Sequence, residues 1–187
     1  ARSRKVVRGL RLWKKQMAAI LLSALIVFPA FLGAGCGDGE KAEEGSRTFT
    51  DLAGRSVEVK VPAERVVAIG PGALRLACYV EAADKVVGIE NMERQWSTGR
   101  PYIMAHPELL ELPVIGQGGP DSSPDPEKLM GVLPDVIFVA YLVDAAKADE
   151  LQQRTGIPVV VLSYGQLGTF DKELMDSITL VGEITGK

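Results

Sequence analysis

The sequence predicts an α/β protein with a Rossmann-like parallel sheet and flanking helices. Five short apolar runs recur along the chain, at 66–69, 86–89, 113–116, 135–140 and 158–163. Such runs form strands that are buried on both faces of a parallel sheet. Segments with apolar residues at helical spacing alternate with these runs, which is typical of a doubly wound sheet.

Residues 65–90 show this pattern most clearly. An apolar run is broken by the turn Gly70-Pro71-Gly72, and a helical segment and a second apolar run follow. Strand, turn, helix and strand make a βαβ unit, whose strands are parallel neighbours in one sheet. The loop at 70–73 leaves the carboxyl end of its strand, where open α/β sheets bind ligands.

The remaining segments predict a hairpin, several helices and a polar loop. Residues 47–61 alternate apolar and polar side chains, as a hairpin does. Residues 91–100 are polar and are predicted to form a loop. Helices are predicted from apolar periodicity and from Pro or Gly at their ends; they are 101–110 in two short pieces, 126–133, 144–155, and a helical pattern from 170 that still continues at Lys187.

Charge divides the chain into two parts. Residues 1–35 hold seven of the 21 basic residues and none of the 24 acidic ones, so the overall net charge of −3 becomes −10 for residues 36–187. Nucleic-acid binding needs clustered Lys and Arg. The acidic part therefore excludes nucleic acid as an expected partner, and two cysteines are too few for a disulfide framework.

The first 36 residues have the order of a secretory signal. A basic segment ends at Lys15, an apolar run spans 17–32, and small residues precede Cys36. A cysteine after small residues also resembles the lipobox of bacterial lipoproteins, although Gly33 stands where that motif prefers Leu. We expect lipidation at Cys36, with ordinary signal cleavage or an uncleaved anchor as alternatives. All three place the rest of the chain outside the cytoplasm.

The glycine turn at 70–72 has two readings. A helix N-terminus after glycines can bind phosphate. However, Leu74 and Arg75 stand where a dinucleotide-binding pattern has its third glycine, so that signal is weak. The alternative is a strand-to-helix turn that simply requires glycine.

Six segments resemble, in sequence and in order, the substrate-binding proteins of ABC importers, which are class III periplasmic binding proteins. The branch concerned takes up iron–siderophore complexes, haem and cobalamin, with some members binding metals or molybdate-like oxyanions. The segments are TDLAGRSVEV, RVVAIGPGALRL, KVVGIE, LPVIGQGG, PEKLMGVLPDVIFVA and TGIPVVVLSYG.

The resemblance implies a domain organisation. In that family two Rossmann-like lobes are joined by one long helix, and the ligand lies between the lobes. We therefore expect a lipoprotein signal peptide at 1–36, a flexible charged tether at 37–46, an N-terminal lobe at 47–168 and the start of the interlobe helix at 169–187. The C-terminal lobe is expected to be absent from this sequence.

The expected ligand-binding residues follow the ends of the five strands. The resemblance makes the glycine turn and Ala73 part of the cleft. Tyr and Arg side chains supply stacking and charge-assisted hydrogen bonds to an anionic chelate, and we expect most from Tyr141 and Arg94. The full set is Gly70, Pro71, Gly72, Ala73, Met92, Arg94, Gln117, Gly118, Tyr141 and Tyr164. The alternative for each is ordinary loop surface.

Glu127 has a different expected role. In the resembled family a surface glutamate before the Pro-Asp strand docks onto the membrane permease, and Glu127 holds that place in PEKLMGVLPD. The alternative is an acid that is favoured at a helix start by the helix dipole.

Other residues with reactive side chains are expected to have structural roles and not to form a metal or catalytic site. His106 has no Cys or Asp at metal-ligand spacing, so no metal site is expected, and Cys78 lies on the apolar face of a helix. No Ser/His/Asp set or carboxylate pair is visible, so neither an enzyme nor a cofactor is expected.

These features predict an extracytoplasmic, lipid-anchored solute-binding protein. It would deliver an iron(III) chelate or related metal complex (a siderophore, haem, cobalamin or oxyanion) to an ABC permease. One alternative is a ligand-sensing or scaffold domain of the same fold without transport, and a second is a secreted α/β enzyme. A neighbouring permease gene would favour the receptor, and a kinase partner the sensor.

Overall fold

The structure is a computed structural model, which describes residues 45–119, 124–140, 144–165 and 172–187. The predicted leader, Cys36, most of the predicted tether and Tyr141 lie outside the described residues.

Within these described ranges, seven strands form two sheets. A five-stranded sheet has the order β5-β4-β3-β6-β7, with every neighbouring pair parallel, and β1 and β2 form an antiparallel hairpin. The five predicted apolar runs are thus the five parallel strands, which confirms the predicted α/β class. The strands are β1 Gly45–Thr50, β2 Ser56–Val61, β3 Val66–Ile69, β4 Val86–Glu90, β5 Val114–Gly116, β6 Val136–Ala140 and β7 Val159–Leu162.

Helices connect the strands. Those described are α1 Ala73–Tyr79, α2 Asn91–Gln95, α3 Pro101–Ala105, α4 Pro126–Gly131, α5 Ala145–Thr155 and α6 Lys172–Thr185, with 3₁₀ turns at Ala83–Lys85 and Pro107–Glu111. The start of α4 illustrates why these helices begin where they do. Pro126 occupies the first turn, and the side chain of Asp125 accepts a hydrogen bond from the Lys128 N–H at 3.2 Å.

The alternation of side chains along β3 divides the core into two layers. Val66 and Ala68 pack with residues of α1, α6 and the hairpin on one face of the sheet. Val67 and Ile69 pack with residues of α4 and α5 on the other face. Because both faces are covered, β3 is apolar throughout, which explains the apolar runs in the sequence.

A buried carboxylate fastens the hairpin to the sheet. Asp51, which is 4% exposed, accepts hydrogen bonds from the Arg55 N–H at 2.9 Å and from the Val161 N–H at 3.1 Å. The Arg55 guanidinium in turn donates to Asp51 and to the carbonyl of Val159, both at 3.0 Å. The turn of the hairpin is therefore held against β7.

Two segments differ from the secondary structure that was predicted for them. Gly45 and Ser46 are not tether but the first residues of β1, because they pair with Val61 and Lys60 across the hairpin. Residues 91–95, which were predicted to be loop, form helix α2. Its five residues are too few to produce apolar periodicity, and its one buried side chain is the acid Glu93.

Helix α6 spans Lys172–Thr185, whereas the helical pattern was predicted to continue through Lys187. Gly186 adopts a left-handed conformation with φ of 71°, and the Lys187 N–H donates to the carbonyl of Gly182 at 3.0 Å. This is the 6→1 bond of a glycine-terminated helix. Lys85 Nζ also donates to the carbonyl of Thr185 at 2.7 Å. Whether α6 begins an interlobe helix stays a prediction.

Within the parts of the chain that the structure describes, the helices are too short or too polar to cross a bilayer.

Candidate functional site

The carboxyl edge of the parallel sheet brings the predicted loops together at its topological switch point. Strands β3 and β6 are neighbours there, with connections running to opposite sides, and such points are where open α/β sheets bind ligands. Gly70 follows β3 with φ of 84°, and a Cβ atom added to it would overlap the carbonyl oxygen of Ala140 at the end of β6. Glycine is therefore required at position 70 for two independent reasons.

Three further close approaches join loops at this edge. An added Cβ at Gly72 would lie 3.2 Å from the Tyr164 Cβ, and one at Gly118 would lie 2.8 Å from the Glu90 Cβ. The Met92 N–H donates to the carbonyl of Gln117 at 3.0 Å. The structure thus brings the glycine turn, Tyr164, Met92, Gln117 and Gly118 to one edge, as their positions after strands predicted.

A cavity of about 180 Å³ opens at this edge, beside the glycine turn. Three of its lining residues were predicted as ligand-binding, namely Pro71, Gly72 and Met92. The other five carry ionisable side chains, and they are Arg75, Glu90, Glu93, Arg100 and Tyr102.

A charged network forms one wall of the cavity. Glu93, which is 5% exposed, forms a salt bridge with Arg100 and accepts a hydrogen bond from the Tyr102 hydroxyl at 2.9 Å. Arg100 Nη1 also donates to the Tyr102 oxygen at 3.0 Å. Burial raises the pKa of Tyr102 above its usual range, and the Glu93 charge raises it further. The phenol therefore stays protonated and serves as a donor.

Glu90 forms a second wall. Its Oε2 accepts a hydrogen bond from the Gly70 N–H at 3.0 Å. Burial raises the pKa of Glu90 to about 7, and the Glu93 charge adds to this, while the Gly70 hydrogen bond and Arg100 oppose it. Glu90 is therefore partly protonated at neutral pH, and the charge of the cavity changes near that pH.

Arg75 projects from α1 to line the cavity. Its Nε atom is buried and has no hydrogen-bond partner. Its guanidinium carbon lies 5.6 Å from the centre of the Tyr79 ring, within the range of a cation–π contact. Arg75 therefore supplies a positive charge that the described side chains leave without a salt bridge.

Two predicted ligand-binding residues are used structurally. Arg94 donates to the carbonyls of Leu110 and Leu112 at 2.8 and 2.6 Å and does not line the cavity. Ala73 is fully buried in the core, and its N–H donates to the carbonyl of Gly70 at 3.2 Å, so it supports the turn from behind. Contact of either residue with a ligand stays a prediction.

The remaining predicted residues are distributed as follows. Glu127 is exposed in the first turn of α4, and Tyr141 and Cys36 lie outside the described residues. Cys78 is buried in the core, and burial raises the pKa of its thiol to about 12, as suits a packing residue. Within the described ranges no group of three His, Cys, Asp or Glu side chains could hold a metal ion.

The predicted ligand-binding set did not include the five ionisable residues of the cavity, although Glu90 and Glu93 lie in the segment expected at this edge. Arg75 and Tyr102 lie in helical segments, and the apolar periodicity of those segments indicates only that these two residues are outside the core. Glu93 and Arg100 are seven positions apart, on helix α2 and just before helix α3, and the fold brings them together. Glu90 could have been found, because it is the last residue of β4, at the carboxyl edge of the sheet.

Comparison with known proteins gives both sequence and fold similarity. No protein-family model matches the chain. The chain is 25% identical over 178 residues to YvrC of Bacillus subtilis, named an uncharacterized ABC transporter substrate-binding lipoprotein, and the match covers 90% of this chain and 50% of YvrC.

Solved structures of binding proteins share the fold. The molybdate periplasmic binding protein MolA of Haemophilus influenzae, bound to molybdate, superimposes with a TM-score of 0.61 and 25% identity over 75% of this chain and 46% of MolA. CeuE of Helicobacter pylori, in a Ni-His complex, gives a TM-score of 0.58 and 17% identity over 76% of this chain and 43% of CeuE. The chain spans about half the length of these relatives and is similar to ABC transporter substrate-binding proteins.

Proposed function

We propose that the chain is the ligand-binding N-terminal lobe of an extracytoplasmic lipoprotein that delivers a solute to an ABC permease. The observation that carries this proposal is the match to YvrC over 90% of the chain, joined to a cavity at the carboxyl edge of a matching sheet. The second half of the cleft would come from a C-terminal lobe. The relatives are about twice as long as the part that this chain matches, which is enough for such a lobe.

The proposed solute is an iron(III) chelate or a related metal complex. The relatives named above are solved with molybdate and with a nickel–histidine complex, so small metal-containing solutes are the shared class. The cavity suits part of such a solute, because it combines a guanidinium, a phenol and the apolar Met92 in one small space.

A binding screen tests the solute class. Trp96 is the single tryptophan after the leader, and its backbone N–H donates to the carbonyl of the cavity-lining Met92 at 3.0 Å. Trp96 is 64% exposed, so its fluorescence would report a ligand-dependent change at the end of α2. Because this chain would supply only half of the cleft, we expect weak binding, with at least one saturable ligand among ferric siderophores, haem, cobalamin and molybdate. Saturable binding only of a metal-free sugar or peptide would contradict the proposed class.

The proposed anchor is a lipid on Cys36. The chain contains two cysteines, and the other, Cys78, is buried in the core, which provides a matched control. In cells that are fed radioactive palmitate, the unaltered chain and Cys78→Ala should be labelled and Cys36→Ala should not. Equal labelling of all three would contradict lipidation at Cys36.

The proposed permease contact is Glu127. Its side chain is exposed on α4, and Lys128 Nζ pairs with Asp125 at 3.1 Å rather than with Glu127. The carboxylate is therefore available to a basic pocket on a partner, whose charge would steer the two proteins together.

A further inference from the structure

Arg75 differs from the other charged residues of the cavity in having an unsatisfied buried donor. Its Nε is inaccessible to solvent and without a partner. A buried donor without an acceptor costs about 1–3 kcal/mol, and more when it is charged. The rest of the guanidinium carries the same charge, and Arg75 lines the cavity, where an anion can approach it.

The carboxylates that line the cavity are already engaged. Glu93 is paired with Arg100 and accepts from Tyr102, and Glu90 accepts from the Gly70 N–H. Neither acid forms a salt bridge with Arg75. With Glu90 protonated, the paired charges cancel and Arg75 leaves the cavity with a net positive charge.

A bare metal cation is a poor fit for this arrangement. A cation would face the uncompensated Arg75 guanidinium, and it would have to displace Arg100 from Glu93 to gain a carboxylate ligand. Guanidinium groups instead bind carboxylates and phosphate-like oxyanions through paired N–H donors. The chemistry of the wall therefore favours an anion.

One contact limits the freedom of the Arg75 side chain before any ligand arrives. Arg75 lies on α1 one turn after Gly72, and its guanidinium carbon is 5.6 Å from the centre of the Tyr79 ring. A donor that is already oriented loses less entropy on binding.

We propose that Arg75 is the anion-binding group of this cavity, and that the solute presents a carboxylate or another oxyanion group to it. The proposal deepens the function given above. It rests on that function, because only a transport role makes the bound anion part of a transported solute. At about 180 Å³ the cavity is smaller than the roughly 300–1,000 Å³ typical of small-molecule sites. It holds a small oxyanion or one anionic group of a larger chelate.

The side-chain Nε–Hε resonance of Arg75 tests this proposal directly. Because the atom is buried, its proton exchanges slowly and gives an observable cross-peak in a nitrogen-correlated NMR spectrum. The probes are molybdate, inorganic phosphate and citrate, added at constant ionic strength against chloride at about pH 6, below the Glu90 pKa of about 7. We expect a saturable shift of the Arg75 cross-peak with at least one probe.

Variants at position 75 separate binding from structure. Arg75→Gln should weaken binding of that probe by about tenfold or more, and Arg75→Lys by less, because lysine keeps the charge but loses the paired donors. Arg154→Gln is the control, because Arg154 is exposed on α5 with a surface partner, Glu150. It should bind the probe as the unaltered chain does. Circular dichroism of each variant reports its folding.

Two results would overturn the proposal. One is an Arg75 cross-peak that no probe moves, and the other is undiminished binding by folded Arg75→Gln. The transport role is judged separately by solute uptake in cells. A saturable Arg75 shift with uptake intact in cells that lack the chain would keep the anion site and remove the transport role. An Arg75 cross-peak that no probe moves, together with loss of uptake in cells that lack the chain, would keep the transport role and remove the anion site.

Discussion

Glu90 Oε2 accepts a hydrogen bond from the Gly70 N–H at 3.0 Å and so joins the ends of strands β3 and β4. The same side chain lies against Gly118, where an added Cβ would come within 3.1 Å of Glu90 Oε2. One carboxyl group therefore braces three loops of the carboxyl edge. The shape of the candidate site depends on a group whose charge changes near neutral pH.

The first prediction concerns the pH dependence of stability. Burial raises the pKa of Glu90 from 4.5 to about 7, so between these values the folded chain holds a proton that the unfolded chain releases. The raised pKa of Glu90 therefore contributes on the order of 3 kcal/mol to the free energy of unfolding. This contribution is complete below about pH 4.5 and is lost as the pH rises to about 7.

Glu90→Gln tests this relationship, because glutamine keeps an acceptor for the Gly70 N–H but cannot ionise. Urea unfolding at about pH 5 and about pH 8 should show a smaller loss of stability in the variant than in the unaltered chain. Glu58→Gln, on the exposed face of β2, should keep the original loss. Parallel pH profiles for the chain and Glu90→Gln would refute the assignment.

The second prediction concerns the close approach of Gly70 to β6. Gly70→Ala combines a left-handed backbone with overlap of the new Cβ and the Ala140 carbonyl, and should lower the free energy of unfolding by about 3–5 kcal/mol. Gly54→Ala is the control. Its φ of 76° is similar but nothing lies within 4 Å, so it should cost only about 1–2 kcal/mol. Equal costs in chemical denaturation would show that no such contact exists.

The third prediction concerns the charged wall of the cavity. Arg100→Met leaves the nearly buried carboxylate of Glu93 without its partner, and should cost about 2–3 kcal/mol of stability. Adding Glu93→Gln should recover part of this loss. Lys172→Met removes one member of an exposed pair with Asp176 and should cost less than about 1 kcal/mol. A loss in Arg100→Met no larger than in Lys172→Met would argue against the network.

The fourth prediction concerns permease docking. Glu127→Lys reverses an exposed charge at the start of α4 and should reduce solute uptake in cells by about tenfold, through impaired association with the permease. The stability loss should be limited to the helix-dipole effect, about 0.3–1 kcal/mol. Glu150→Lys reverses another exposed charge, on α5, and should leave uptake intact. Equal uptake in the two variants would remove Glu127 from the docking surface.

The sheet was predictable from sequence for a simple physical reason. Strands β3 and β6 are covered on both faces of the sheet, so their residues are apolar without a break, and every one of them is buried. The glycine turn was equally predictable, since Gly70 and Gly72 have backbone conformations that other residues rarely adopt.

The wall of the site was much less predictable. Glu93 and Arg100 are seven positions apart on a polar stretch whose residues look like solvated loop, and their pairing depends on the short helix α2. Arg94 lies in the same stretch and was favoured as a ligand residue, yet its guanidinium serves two backbone carbonyls. Residue type indicated the chemistry, and only the fold decided which arginine faces the cavity.

The most direct test of the central claim is uptake of radiolabelled ferric siderophores, haem, cobalamin and molybdate by cells of the organism that encodes the chain. Deleting its gene should abolish energy-dependent uptake of at least one of these solutes. A plasmid copy should restore uptake, whereas a copy with Cys36→Ala and Glu127→Lys should not. Unchanged uptake of every solute in the deletion strain would contradict the proposal that this chain serves an ABC importer for metal complexes.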